Sequence, residues 1–262
     1  MTRIVCHRGA CRLAPENTLA SARKAVAEGG DIIELDIRDS ADGVPYVIHD
    51  ALLDRTTNGR GYIAETDSAV LDTLDAGSWF ATDHVGEPVP RLAHFLRTMR
   101  EEAGFYLEFK HSDPVVVGDI LTRLDMRDQV FTYSESAVQR AAIAEALPWI
   151  KRMVNWRDIE DCATARAQGY QIIEFHAPDV SSERLAAARG NDLEIMIYTP
   201  LQDEGVFAAA ISEKVEYMNT DYPAAATKNA QQALKYLLQS YNFNVRFCLI
   251  CNYISKIDES LK

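Results

Sequence analysis

Eight short apolar runs punctuate the chain, beginning near residues 3, 32, 105, 129, 150, 172, 194 and 217, and each leads toward a segment of helical periodicity. Regular strand–helix alternation implies parallel strands joined by helical crossovers. Eight such units within 262 residues favour closure into a barrel over an open sheet, and α/β barrels of ~250 residues commonly form one domain. The expected fold is α/β, a (β/α)8 TIM barrel. Helices are expected at 17–28, 92–102, 114–124, 137–146, 159–168, 182–189 and 203–212, with Asn17 capping the first and Gly29-Gly30 closing it. The rhythm breaks at 51–90, where Thr56-Thr57-Asn58-Gly59-Arg60-Gly61 and Pro88-Val89-Pro90 enclose a short amphipathic piece. This segment reads as a small insertion after the second barrel strand, lying over one mouth. The run at 45–48 reads as a hairpin extension, not a stave. Residues 1–239 then form a single domain, and 240–262 a C-terminal tail of unassigned role.

Charge and cysteine usage narrow the possible partners. The net charge is −12, and residues 224–262 hold five Lys/Arg against two Asp/Glu, so the body is more acidic than the whole. Such a body is a poor nucleic-acid binder, because phosphate contact rests on Lys and Arg. It suits an anionic substrate only if carboxylates hold a cation. No window reaches the ~18 continuous apolar residues of a membrane span, so stable membrane insertion is not expected. After Met1-Thr2-Arg3 the apolar run stops at His7-Arg8, so no signal peptide is expected. Five cysteines without a framework spacing fit a reducing, cytoplasmic setting. Cys248 and Cys251 form a CxxC, but no second pair accompanies it, and two half-buried thiols are the favoured reading. The oligomeric state stays open.

Chemistry gathers where barrels place it, at the carboxyl ends of strands. Glu34 and Asp36 are spaced i, i+2, so on a strand they share a face and can converge on one cation. Glu108 repeats that geometry with Lys110 on the third stave. Three carboxylates are hard oxygen donors, suited to one divalent cation, Mg2+ or Ca2+. His7 and His49 can supply the proton donor and acceptor that ester cleavage needs, each worth roughly 10²–10⁴ in rate. Arg8 and Lys110 are candidate phosphate clamps, with a salt bridge to Glu34 or Asp36 as the plainer use of Lys110. Glu16 is read as structural, near the start of the first helix. Asp221, past the last strand, is read as a helix cap in preference to a histidine-orienting group. His84, His94, His111 and His176 are assigned no role in the chemistry.

These residues resemble a known family. His7-Arg8-Gly9, Pro15-Glu16-Asn17-Thr18, Glu34-Leu35-Asp36, Asp42-Gly43, His49-Asp50, Arg55-Thr56-Thr57, Glu108-Phe109-Lys110 and Thr220-Asp221-Tyr222-Pro223 are similar, in order and spacing, to the glycerophosphodiester phosphodiesterases. The resemblance spans roughly residues 3–225. It implies a TIM barrel and metal-dependent hydrolysis of glycerophosphodiesters to glycerol 3-phosphate and an alcohol. Carried over by position, Glu34, Asp36 and Glu108 would ligate the metal, and His7 and His49 would form the acid/base pair. Arg8 and Lys110 would hold the phosphate. Water or the neighbouring glycerol hydroxyl could be the nucleophile. Ser134-Glu135 and Tyr198-Thr199-Pro200-Leu201 depart from the family's usual residues after the fourth and seventh strands, at the walls of the mouth. A lysophospholipase D or sphingomyelinase D-like activity would need an apolar acyl groove, for which only Trp79-Phe80 speaks. A non-catalytic barrel serving as a binding module would be signalled by loss of a core residue, and none is missing.

Overall fold

The computed structural model describes residues 2–240. The first half of the chain forms β1 (Arg3–Cys6), α1 (Leu19–Ala27), β2 (Ile32–Asp39), β3 (Pro45–Val47), α2 (Ser68–Leu71), α3 (Leu92–Met99), β4 (Gly104–His111) and α4 (Pro114–Arg123). The second half forms β5 (Val130–Tyr133), α5 (Ala137–Ala146), β6 (Lys151–Asn155), α6 (Trp156–Ile159), α7 (Cys162–Ala167), β7 (Ile172–His176), α8 (Ser182–Gly190), β8 (Glu194–Thr199), α9 (Glu204–Ser212), β9 (Tyr217–Thr220) and α10 (Pro223–Ser240). Hydrogen bonding runs β1-β2-β4-β5-β6-β7-β8-β9 and returns to β1, where Val5 lies opposite both Ile32 and Asn219. Eight parallel strands therefore close into a (β/α)8 barrel. β3 pairs antiparallel with β2, is bridged to Arg91 through Tyr46, and stays outside the barrel wall.

Period-two alternation divides each strand between two cores. Val5, Ile32, Tyr106, Phe131, Met153, Ile172, Met196 and Tyr217 turn inward and fill the lower barrel, with Tyr106 stacked on Phe131 at 4.9 Å between ring centroids. Their neighbours Cys6, Ile33, Leu35, Leu107, Phe109, Ile173 and Ile197 turn outward and pack against helical Ala22, Phe95, Val117 and Leu185. Each fully buried side chain of this size contributes about 1.5–3 kcal/mol relative to exposure. Farther along the same strands the inward positions become polar: Glu34, Asp36, Glu108, Asn155, Glu174 and Asn219, all buried. The core thus forms a floor, and the chemistry sits above it.

The insertion is a lobe with its own core of Tyr46, Ile48, Leu53, Ile63, Leu71, Ala76 and Val89. The Tyr46 hydroxyl donates to Asp72 Oδ1 at 2.6 Å and ties the hairpin to α2. Trp79 stays 40% exposed, its indole donating to Ala76 O, and meets Phe80 edge-on.

Two local expectations are corrected. The helix expected at 159–168 starts only at Cys162, as α7, because α6 ends at Ile159, Glu160 turns left-handed at φ +49° and Asp161 caps a fresh start by accepting from Ala163 and Thr164. Asn17 does not cap α1. Thr18 does, accepting from Ser21 N, and Asn17 stands at φ +59° facing β2. The tail at 241–262, with Cys248 and Cys251, lies outside the described residues.

The turn after β1 needs a glycine for two separate reasons. Gly9 sits at φ +79°, and a Cβ there would lie 2.5 Å from Ser21 Oγ and 2.8 Å from Ser21 C. Left-handed strain and overpacking each cost about 1–3 kcal/mol. Gly9→Ala is therefore expected to lower unfolding free energy by roughly 2–4 kcal/mol in urea titrations at unchanged m-value. A loss below about 0.5 kcal/mol would refute the reading.

Candidate active site

The mouth is built around three carboxylates. Glu34 and Asp36 on β2 are fully buried and Glu108 on β4 is 9% exposed, with Asp36 and Glu108 opposite each other in register. One oxygen from each of the three lies within 4.8 Å of the others. Glu34 Oε1 and Asp36 Oδ1 are buried without a hydrogen-bond partner among the described residues. Buried acceptors are almost always satisfied, so these two oxygens are what an added cation would engage. An all-carboxylate set with orphaned oxygens fits a hard divalent ion such as Mg2+ or Ca2+.

The remaining oxygens are tied down by the chain itself. Arg8, at φ +53°, donates its backbone N–H to Glu34 Oε2 at 2.7 Å and sets its Nε 3.2 Å from Asp36 Oδ2. Asn17 clamps Asp36 from two sides, donating Nδ2 to Oδ2 at 2.8 Å and accepting the Asp36 N–H at 3.2 Å. Lys110 Nζ bonds Glu108 Oε1 and stands 3.6 Å from Asp36 Oδ1. These partners split the carboxylates. Burial, then repulsion from Asp36 and Glu108, pushes Glu34 well above the usual carboxylate range. Burial also raises Glu108, with Asp36 adding to it and Lys110 opposing. Asp36 feels the same burial, yet Arg8, His49 and Lys110 outweigh it and hold it low. A cluster needing three negative charges but natively disfavouring two is poised to gain from a cation.

Each candidate histidine is oriented by an aspartate. His7, just past β1, sets Nδ1 2.8 Å from Asp221 Oδ1, and Arg12 fixes the other Asp221 oxygen at 2.7 Å. Asp221 is thus the histidine-orienting carboxylate and not a helix cap, which corrects the sequence reading. His49, beyond β3, sets Nδ1 2.6 Å from Asp50 Oδ1. Asp50 is held far below the usual range, first by hydrogen bonding from Arg55. In both pairs the carboxylate accepts from Nδ1–H, which leaves Nε2 available for proton transfer. Burial is the largest influence on His49 and lowers its pKa. Glu16 accepts from Arg8 at 3.0 Å and takes two bonds from Arg55.

Glu174, on the far wall, was not anticipated from sequence. Glu174 on β7 is buried across the barrel from β2, accepting from Asn155 at 3.1 Å and Asn219 at 3.3 Å. Burial pushes its carboxyl up to about 7. Only its inward register with Asn155 on a barrel strand could have signalled it. Tyr198 on β8 lies edge-on to His7 at 5.3 Å and to His176 at 5.2 Å. Ser134 donates to Phe109 O at 2.6 Å and is spent on the loop, while Glu135 reaches within 3.8 Å of Lys110.

Comparison with known proteins places the chain in a family. Residues 7–225 match the glycerophosphoryl diester phosphodiesterase family. A glycerophosphodiester phosphodiesterase of Bacillus subtilis is 40% identical over 117 residues, which covers 42% of this chain and 40% of that relative's length. One from Bacillus altitudinis is 26% identical over 241 residues, covering 87% of this chain and 98% of the relative. The crystal structure of a glycerophosphodiester phosphodiesterase from Agrobacterium tumefaciens superposes with a TM-score of 0.84 at 40% identity, over 86% of this chain and 99% of that one. An Oleispira antarctica phosphodiesterase, solved in complex with the product sn-glycerol-3-phosphate, shares the fold with a TM-score of 0.78 at 24% identity, over 90% and 97% of the two chains. With its barrel, its mouth and a match running from His7 to residue 225, this chain belongs to the glycerophosphoryl diester phosphodiesterase family.

Proposed function

We propose that the chain hydrolyses glycerophosphodiesters to glycerol 3-phosphate and an alcohol, with one Mg2+ or Ca2+ held by Glu34, Asp36 and Glu108. The observation that carries this reading is the pair of orphaned carboxylate oxygens set beside two aspartate-oriented imidazoles. The product held by the Oleispira antarctica enzyme supports the choice of substrate class. Among the described residues no helix is long and apolar enough to cross a membrane.

A bound cation would neutralise phosphate charge and the charge that grows on it in the transition state. Arg8 keeps guanidinium donors beyond those set against Glu16 and Asp36, and these would meet the phosphate. Lys110 adds a point charge from the neighbouring stave. One imidazole accepts the proton of the attacking hydroxyl through Nε2 while the other protonates the departing alcohol oxygen. Asp221 and Asp50 keep each ring in the tautomer this exchange needs.

Metal dependence gives the first test. Chelator should abolish release of glycerol 3-phosphate, and added Mg2+ or Ca2+ should restore it. Glu34→Ala should weaken metal affinity and activity together while the melting profile stays near that of the wild type. Undiminished turnover by metal-free protein would sink the assignment.

Proton transfer gives the second. His7→Ala and His49→Ala should each lower kcat by roughly 10²–10⁴. His49 is lowered by burial, so its neutral form persists to more acidic pH than a free imidazole, near 6.5, would allow. Activity that depends on neutral His49 rises as pH climbs through that lowered pKa. The acidic limb of kcat/KM should therefore lie below about 6.5 and vanish in the residual activity of His49→Ala. A limb that survives that substitution unchanged would assign it to another group.

A further inference from the structure

We propose that His7, Cys11 and Asp221 form a second cation site, which takes a thiophilic divalent ion of the zinc class and switches the enzyme off. The switching rests on the phosphodiesterase reading, whereas the binding does not. The three side chains each offer one ligand atom, and these atoms all lie within 4.8 Å of one another. His7 and Cys11 are part-exposed, so an ion can enter from solvent, while Asp221 is buried and anchored by Arg12.

Ligand chemistry separates this site from the carboxylate cluster. Glu34, Asp36 and Glu108 offer only hard oxygen, which suits Mg2+ and Ca2+. Imidazole, thiol and carboxylate together suit Zn2+, which takes three protein ligands and a water in tetrahedral array. Zinc–nitrogen and zinc–oxygen bonds near 2.0–2.2 Å set at a tetrahedral angle separate the two ligand atoms by about 3.4 Å. His7 Nδ1 and Asp221 Oδ1 are already 2.8 Å apart, so the bridge need open by only about 0.6 Å. Arg12 occupies Asp221 Oδ2 and leaves Oδ1 facing the histidine.

The exchange balances. The cation replaces the proton between His7 and Asp221, which moves to Nε2 of the ring. The Cys11 thiol loses its proton to solvent and binds as thiolate. Without metal that thiol is inert, since burial, reinforced by Asp221, pushes it up to about 12. With Nδ1 bound to metal and its one proton on Nε2, the His7 ring has no free nitrogen to accept a proton and no imidazolium proton to give, and Asp221 no longer orients it. Hydrolysis stops without any loss of the ion held by Glu34, Asp36 and Glu108.

The test uses the full chain saturated with Mg2+ and compares wild type with Cys11→Ser, a residue outside the catalytic set. Zn2+ should inhibit wild-type glycerol 3-phosphate release, and Cys11→Ser should keep basal activity while needing at least tenfold more Zn2+ for half inhibition. Co2+ titration should give one thiolate-to-cobalt absorption band per chain in the wild type, absent from Cys11→Ser although Cys248 and Cys251 remain. A band that persists in Cys11→Ser, or an unchanged Zn2+ midpoint, overturns the site. A Cys11-dependent band in a chain that cleaves no glycerophosphodiester upholds the site and removes the phosphodiesterase reading instead.

Discussion

Three carboxylates crowded into a buried mouth are the constraint around which the structure is organised. Glu34, Asp36 and Glu108 repel one another across less than 5 Å in a setting that penalises each charge. Taking an isolated carboxylate out of water costs several kcal/mol even after relaxation. The chain offsets this with donors from Arg8, Asn17 and Lys110. Arg8 and Asn17 both adopt left-handed backbone conformations, and each uses that turn to aim donors at the cluster. Non-glycine residues at positive φ carry strain of order 1–3 kcal/mol and persist where surroundings fix them. Here the surroundings are the carboxylates themselves.

The barrel explains why such a cluster can exist at all. Inward side chains of one strand are spaced by two, so climbing a stave converts core to site in one step: Tyr106 to Glu108 on β4, Ile32 to Glu34 on β2, Ile172 to Glu174 on β7. The apolar floor excludes water from below, which strengthens every charge interaction above it. Glu174 shows the contrast with Asp36. Both are buried, but the hydrogen bonds to Glu174 among the described residues come from two amides and its carboxyl rises to about 7, whereas Asp36, beside Arg8 and Lys110, is held low. Partner identity, not depth alone, decides which carboxyls stay charged.

What was legible in the sequence follows from the range of the interactions. Period-two and 3.6-residue patterns are local, so the eight staves and most helices could be read directly. The i, i+2 pairs Glu34/Asp36 and Glu108/Lys110 were legible for the same reason. Asp221 was misread because its partner His7 lies 214 residues away, and a carboxylate after a strand matches a helix cap equally well. Asn17 and Thr18 are adjacent candidates for one cap, and only the return of β2 beside the turn shows which is spent elsewhere. The break at Glu160 escaped because a left-handed glutamate has no sequence signature as strong as glycine's.

The least legible feature links the insertion to the chemistry. Read outward from His49, the contacts run Asp50, Arg55, Glu16, Arg8, Asp36, Lys110 and Glu108, alternating in sign at every step. The Arg55 pairs carry little energy, since Arg55 is 43% exposed and solvent screens it. Alternation gives order instead. Arg55 comes from the insertion, Glu16 from the loop before α1 and Lys110 from β4, so each charge is positioned by a different part of the fold. The same carboxylate, Glu16, restrains both the guanidinium proposed to meet phosphate and the arginine that orients the His49 carboxylate. A lobe that packs on its own small core thereby reaches the mouth through one arginine. That contact gives the insertion a physical route to proton transfer as well as to the shape of the opening.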